Sequence, residues 1–141
     1  MISLVEKAIA LALEAHQGQL DKSGSPYILH PLRLMLQMES ETEMITALLH
    51  DVVEDSAWEL DQLREMGFPA EVLEALALLT HDTAGDPYDD YIQRIKQNPL
   101  ARRVKLADLS HNMDIRRLPA PLSMKDMGRL EKYRRAWEAL L

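Results

Sequence analysis

Residues 47–55 combine an apolar segment with side chains that ligate metals or transfer protons. Within this segment stand one imidazole, His50, and three carboxylates, Asp51, Glu54 and Asp55. The apolar neighbours would bury both flanks of the His-Asp pair, and the segment contains no Lys or Arg. Because burying unpaired carboxylates costs many kcal/mol, the segment predicts a divalent metal ion. The alternative is a solvated polar strip beside the core.

The spacing of these four residues predicts which of them lie together. His50 and Glu54 are four residues apart, as are Asp51 and Asp55. On one continuous helix, residues at this spacing occupy the same face. The pattern therefore predicts two polar pairs on adjacent strips of a single helix.

A metal ion needs more ligands than the His50-Asp51 pair, and two other positions offer them. His30 precedes Pro31, and Asp108 stands in the mostly apolar residues 104–112 with Asn112 one turn further along. Each has a simpler interpretation when taken alone. A His before Pro is common at the start of a helix, and Asp108 is equally compatible with an exposed surface position.

Helical spacing of the apolar residues predicts the elements that position these side chains. Ser-x-x-Glu patterns at Ser3, Ser40 and Ser56 are typical of helix N-termini, and prolines mark other helix boundaries. With one Phe and few alternating β-branched residues, the chain has little from which to build a sheet. We expect an all-α fold of about eight helices, at residues 3–18, 32–38, 40–53, 56–67, 70–80, 87–97, 100–117 and 123–141.

Composition excludes several classes of protein. The chain has 141 residues, no cysteine and a net charge of −7, which excludes a disulfide framework and a thiol nucleophile and argues against nucleic-acid binding. No apolar run approaches the roughly 20 residues that cross a bilayer, and the first six residues lack a signal-peptide pattern. We expect one cytoplasmic domain over residues 1–141, with no nucleic-acid or membrane partner.

Three strings, in this order, resemble the HD-domain hydrolases of RelA/SpoT-type and small alarmone hydrolase proteins. The first runs from residues 16–19 to residues 26–31, the second is residues 48–55, and the third is residues 104–108 with Asn112. They span about residues 1–118. The resemblance implies an all-α HD-domain bundle that removes the 3′-pyrophosphate of (p)ppGpp with bound Mn²⁺. We expect residues 1–141 to contain no synthetase domain of the kind found in bifunctional relatives.

The resemblance also implies a role for individual residues. It assigns the metal ligands as His30, His50, Asp51 and Asp108. Glu54 and Asp55 match the acidic pair that positions or deprotonates the attacking water. The residues that fall where the family contacts its nucleotide are Lys22, Ser23, Tyr27, Lys105 and Asn112.

The chemistry of these side chains agrees with the resemblance. Two imidazoles and two carboxylates suit Mn²⁺, Fe²⁺, Co²⁺ or Zn²⁺, and such an ion lowers the pKa of a bound water. A neighbouring carboxylate raises the pKa of Glu54, which suits a general base. Lys105 would neutralise a polyphosphate or merely flank its helix, and Asn112 would bind sugar or phosphate or cap a polar strip. His16 is assigned to packing or to support of the site.

The sequence departs from the family pattern at positions that concern the substrate. Asp21 stands where the family typically has an Arg that packs on guanine, and residues 113–117 and 80–82 also differ. We interpret His81-Asp82 as a solvated helix end. Two alternatives therefore stay open, an HD-domain phosphatase of another nucleotide and a non-catalytic nucleotide-sensing module. The last helix is interpreted as a core contact or, alternatively, as the face of a homodimer.

Overall fold

The fold is entirely α-helical, as predicted. A computed structural model describes all of residues 1–141, with nine α-helices and one 3₁₀ turn, Ile115–Arg117. The helices are α1 Leu4–Ala15, α2 Leu29–Leu36, α3 Glu41–Leu49, α4 Val52–Asp55, α5 Leu60–Glu65, α6 Ala70–Leu79, α7 Tyr88–Lys96, α8 Pro99–Asn112 and α9 Met124–Leu140. None of them is long and apolar enough to cross a membrane.

Helix α3 lies at the centre of the bundle. It packs against α1, α2, α6 and α8, and all five of its residues from Ile45 to Leu49 are buried. Ala47 belongs to one buried apolar cluster, shared mainly with α6, α7, α8 and α9. Ile45, Leu48 and Leu49 belong to a second cluster, shared with α1, α5 and α6. The helix that leads into the His50-Asp51 pair is therefore fixed from all sides.

Local sequence signals set most of the helix starts. Capping boxes form at Ser3–Glu6 and Ser40–Glu43, as predicted. The predicted box at Ser56 is wrong, because the Ser56 hydroxyl donates to the Val52 carbonyl and accepts from the Trp58 amide. The box that opens α5 is instead formed by Glu59 and Gln62.

Two helices differ in extent from their predictions for identifiable reasons. Helix α2 begins at Leu29, so that Pro31 is its third residue. This is allowed because the first amides of a helix have no carbonyl partner in the helix, and it moves His30 inside the helix. Helix α8 ends at Asn112, and the Asp114 carboxylate then accepts from the Arg116 amide to start the 3₁₀ turn.

The helix predicted over residues 40–53 is divided into α3 and α4. His50 and Asp51 lie between the two parts, and Asp51 has φ −111° and ψ 2°, a sparsely populated backbone conformation that recurs at functional sites. The prediction of one continuous helix is wrong at these two residues. The eight predicted helices consequently correspond to nine observed α-helices.

Helix α9 packs against α7 and α8. Ala136 and Leu140 are buried in the first apolar cluster, and Tyr133 and Trp137 pack against its edge. Met127, by contrast, is exposed. The interpretation of this helix as a core contact therefore holds for its second half.

Candidate metal centre and adjoining cavity

Four of the predicted side chains converge although they come from three separate parts of the chain. His30 on α2, His50 after α3 and Asp108 on α8 are all buried, and Asp51 is partly buried. One ligand atom from each of His30, His50 and Asp51 lies within 4.8 Å of the others. Oδ1 of Asp108 lies 2.8 Å from His30 Nε2 and 3.6 Å from His50 Nε2.

The end of α3 fixes the protonation of His50. Its Nδ1 lies 2.7 Å from the carbonyl oxygen of Ala47, which in an unbroken helix would accept from the Asp51 amide. Because a carbonyl can only accept, Nδ1 carries the proton. Nε2, which faces the carboxylates, is then the nitrogen that would bind a metal.

The interruption of the helix also brings Asp51 to His50. Consecutive residues on a helix do not face each other, yet Asp51 Oδ2 lies 3.1 Å from His50 Nε2. The Tyr27 hydroxyl donates to the same carboxylate oxygen. The non-helical backbone at Asp51 is thus what allows two adjacent residues to contribute to one site.

The pKa values in the cluster reflect mutual attraction between its imidazoles and carboxylates. Burial alone would lower the pKa of His50, but Asp51 and Asp108 outweigh it and raise this pKa. Burial acts to raise the pKa of Asp51, but the neighbouring His50 brings it down to about 2. The Asp51 carboxylate therefore stays ionised, as a metal-ligating carboxylate must be.

Asp108 is held by two donors besides the imidazoles. Lys105 Nζ lies 3.0 Å from Oδ2, and Asn112 Nδ2 donates to Oδ1 at 3.1 Å. Burial opposes ionisation of Asp108, but Lys105 and the two histidines hold its pKa well below the usual value. The carboxylate is consequently fixed in position and charge.

The four side chains fit a divalent cation. His50 Nε2 is buried without a hydrogen-bond partner, since its contact with Asp51 does not have hydrogen-bond geometry. Such an orphaned buried nitrogen is expected to have a partner. Two imidazole nitrogens and two carboxylates are also the mixed donor set that Mn²⁺, Fe²⁺, Co²⁺ and Zn²⁺ accept.

The two predicted catalytic carboxylates lie on α4, one turn beyond the cluster. Glu54 Oε1 accepts from the His81 backbone amide at 2.8 Å, and Asp55 Oδ2 accepts from Gln19 Nε2 at 3.4 Å. Both side chains are largely exposed, and partial loss of solvation is the main cause that raises the pKa of each, to which the charge of Asp51 adds. Both groups thus bind protons more readily than free carboxylates.

A cavity of about 330 Å³ adjoins the cluster at His30 and Tyr27. Of the residues predicted to contact a nucleotide, Lys22, Ser23, Tyr27 and Asn112 line it. Lys105 does not, because its buried amine is directed to Asp108 and lies 5.4 Å from the centre of the Tyr91 ring. Glu54 and Asp55 are likewise not on the cavity wall.

Asp21, the main departure from the family pattern, uses both of its carboxylate oxygens in contacts within the protein. Its Oδ1 accepts from the Ser23 amide and hydroxyl and from the Ser25 amide. Its Oδ2 lies 3.1 Å from the guanidinium of Arg117. Asp21 therefore shapes the loop after α1 and holds an arginine at the cavity wall.

Several residues of the site were missed in the sequence. Arg117, Arg129 and Tyr133 line the cavity, and His111 lies beside His30, with the two Nδ1 atoms 2.6 Å apart. The helical spacing of Arg129 and Tyr133 on α9 was the available signal for that pair. Burial and His30 lower the pKa of His111 to about 4, so that it is neutral.

His81 is not the solvated helix end that the sequence suggested. Its side chain is 13% exposed and stacks on Tyr91, with ring centroids 4.3 Å apart. Its Nε2 donates to the carbonyl of Asp86 at 2.7 Å. The residue thereby fixes the loop whose amide binds Glu54.

Curated proteins with similar sequences are long proteins of guanosine-phosphate metabolism. A GTP pyrophosphokinase of Myxococcus xanthus is 31% identical over 130 residues, covering 79% of this chain and 17% of the relative. The bifunctional (p)ppGpp synthase/hydrolase SpoT of Escherichia coli is 30% identical over 125 residues, covering 79% and 18%. This chain thus spans about one sixth of their length. No protein-family model matches it.

Among solved structures, a metazoan orthologue of SpoT, described as hydrolysing ppGpp, has the same fold. The TM-score is 0.80 with 19% sequence identity, covering 99% of this chain and 86% of the other. The likeness extends over the whole helical bundle, including α9.

Proposed function

Because this chain belongs to the RelA/SpoT-type HD domains, we propose that it is a metal-dependent phosphohydrolase that removes the 3′-pyrophosphate of (p)ppGpp or of a related nucleotide. The observation that carries the proposal is the convergence of His30, His50, Asp51 and Asp108 beside a cavity. We assign the reaction to residues 1–141 acting as one hydrolase unit.

In this proposal the four converging side chains hold the cation, with Mn²⁺ as the expected metal. Bound there, a divalent cation supplies positive charge for phosphoryl oxygens and lowers the pKa of a bound water. The chain's own part is to present two imidazole nitrogens and two ionised carboxylates in a fixed arrangement. The Ala47 carbonyl, Tyr27 and Lys105 maintain that arrangement.

Glu54 and Asp55 are the proposed catalytic carboxylates. A general base must be ionised at the working pH and yet have a pKa high enough to take a proton. Partial loss of solvation gives both residues raised pKa values. Glu54 is the better oriented of the two, since a backbone amide holds its carboxylate at 2.8 Å whereas Asp55 has only a 3.4 Å contact.

The cavity is the proposed nucleotide site. A protein with a net charge of −7 must supply local positive charge to bind a polyphosphate. Lys22, Arg117 and Arg129 line the cavity, where Arg117 is paired with Asp21 and Arg129 with Asp126. Ser23, Tyr27 and Asn112 add hydrogen-bonding groups there. We propose that Lys105 acts indirectly, by holding Asp108 instead of touching the nucleotide.

One observation favours the second candidate, an HD-domain phosphatase of another nucleotide. Asp21 replaces the arginine that the family packs on guanine, and its carboxylate is occupied by Ser23, Ser25 and Arg117. A carboxylate provides no cation–π contact to a base. Selectivity for guanine therefore needs a different source in this chain, and the guanidinium groups on the cavity wall are those of Arg117 and Arg129.

A nucleotide screen distinguishes the candidates. The full chain with Mn²⁺ is incubated with guanine and adenine nucleotides that carry 3′ or 5′ phosphates, and the released products are quantified by anion-exchange chromatography. Pyrophosphate release that is fastest from ppGpp supports the main proposal. Equal turnover of adenine and guanine compounds supports the second candidate.

An Asp51→Asn variant, purified in parallel, serves as the control for contaminating phosphatases. Binding of nucleotides without any turnover by the wild-type chain would contradict both enzymatic candidates. That result would support the non-catalytic nucleotide-sensing module.

A further inference from the structure

A second histidine lies directly against one of the proposed metal ligands. The His111 and His30 rings are nearly parallel, at 8°, with centroids 4.9 Å apart. Their Nδ1 atoms are 2.6 Å apart, a hydrogen-bond distance. Only one proton lies between two imidazole nitrogens at this separation, so one Nδ1 donates and the other accepts.

The metal cluster determines which nitrogen donates. Nε2 of His30 faces the cluster, 2.8 Å from Asp108 Oδ1, and a metal-ligating nitrogen must be unprotonated. A neutral His30 that binds a cation through Nε2 therefore carries its proton on Nδ1. That proton is directed at His111, whose Nδ1 must accept it.

We propose that His111 is a positioning residue, which accepts the Nδ1–H of His30 and so presents the Nε2 lone pair of His30 to the metal. The inference rests on the proposed metal site. The other imidazole of the cluster has an equivalent acceptor, since His50 Nδ1 donates to the Ala47 carbonyl. Each histidine ligand is thus held from behind by one acceptor, as is usual for metal-binding histidines.

The position of His111 in the fold keeps this acceptor in place. It stands three residues after Asp108 on α8, so that one helix supplies both contacts to the His30 ring. The His111 carbonyl accepts from Arg117 at 2.9 Å, and Arg117 is in turn paired with Asp21. The acceptor is anchored by the loop after α1 and by the 3₁₀ turn.

Two variants of nearly equal size separate hydrogen bonding from packing. In His111→Asn an amide oxygen takes the place of the Nδ1 acceptor, whereas His111→Leu has the same shape and no acceptor. The dissociation constant for Mn²⁺ is measured on each full-length variant by competition with a chelating dye. We expect His111→Leu to bind Mn²⁺ about 10- to 100-fold more weakly than wild type, and His111→Asn to restore most of the loss.

Equal Mn²⁺ affinity in the Leu variant and the wild type would overturn the inference, and so would equal weakening in both variants. If His111→Leu does not fold, ¹⁵N–¹H spectra of the Zn²⁺-loaded wild type decide. These must show His30 protonated at Nδ1 and metal-bound at Nε2. Wild-type protein that binds Mn²⁺ normally but hydrolyses no nucleotide would contradict the proposed function and leave the role of His111 intact.

Discussion

Glu54 and Asp55 are adjacent carboxylates that differ in how firmly their surroundings orient them. The Glu54 carboxylate is oriented by a backbone amide of the loop after α6, whereas Asp55 is contacted by the flexible amide of Gln19. A proton acceptor in a hydrolytic reaction must point in one direction throughout the step. This difference identifies Glu54 as the residue whose chemistry is best tested first.

Substitution of Glu54 by Gln removes the proposed base without changing its size. We expect Glu54→Gln to lower kcat by about 10²-fold or more and to leave the affinity for Mn²⁺ unchanged, because Glu54 is outside the ligand set. The measurement is steady-state release of pyrophosphate, alongside a Mn²⁺ titration. Glu71→Gln, the same change at an exposed position on α6, is the matched control.

The pH profile gives an independent check on Glu54. Since partial loss of solvation raises the pKa of Glu54, the wild-type rate should increase with pH up to a value above the ordinary pKa of a glutamate. Below that pKa the base is protonated and inactive. A wild-type rate in Glu54→Gln, or an unchanged acidic limb, would exclude Glu54 as the base.

Helix α8 is the element that organises the interior side of the metal centre. It carries Asp108 and three residues that support the site. Lys105 and Asn112 donate to the Asp108 carboxylate. His111 contacts His30, which in turn contacts Asp108. Lys105 is enclosed by Asp108 and the Tyr91 ring. Its cation balances a carboxylate that would otherwise be buried at high cost.

Removal of the Lys105 charge should therefore destabilise the metal-free protein. We expect Lys105→Met to reduce the free energy of unfolding by about 3 to 5 kcal/mol, measured by urea denaturation in the presence of a chelator. The same substitution at Lys96, an exposed residue of α7, should change it by less than about 0.5 kcal/mol. Similar losses in the two variants would show that Lys105 does not stabilise Asp108.

The faces of α8 could be predicted from sequence, whereas the interruption between α3 and α4 could not. Asp108 and Asn112 are four residues apart, so their common face follows from helical spacing alone. Leu48, Leu49, Val52 and Val53 continue the apolar pattern across the interruption without a Gly or Pro to mark it. The side-chain contacts made at this point come from distant parts of the chain, such as that of Tyr27 with Asp51.

The same distinction explains which site residues were found. His50 and Asp51 are recognisable because carboxylates are rare in so apolar a segment. The role of His111 depends on His30, which lies 81 residues earlier, and a local pattern contains no sign of such a partner. Arg117 is similar, since its partner Asp21 is 96 residues away.

At the scale of the whole molecule, the metal centre joins parts of the bundle that have separate apolar contacts. His30 lies on α2, His50 and Asp51 follow α3, which contributes to both apolar clusters, and Asp108 lies on α8. A cation bound by all four would connect these helices in the folded protein only. Its binding energy would therefore add to the stability of the fold.

Thermal unfolding measures this connection. At a Mn²⁺ concentration about 100 times the dissociation constant, we expect stabilisation of about 2.7 kcal/mol, or a rise in Tm of about 10 °C for a chain of this length. Asp51→Ala, which removes one ligand, should show no such rise and should lose its metal on gel filtration. An equal rise in Tm for Asp51→Ala would place the Mn²⁺ elsewhere on the protein.

At His50 and Asp51, which separate α3 from α4, the stability of the helix and the geometry of the metal site favour different backbone conformations. A chain that continued as one helix through positions 50 and 51 would gain regular backbone hydrogen bonds, and would turn the Asp51 carboxylate away from the His50 ring. Selection for thermal stability would therefore favour substitutions that remove the contact between His50 and Asp51. In thermophilic relatives we expect stabilising substitutions at other positions of the bundle, with His50 and Asp51 retained.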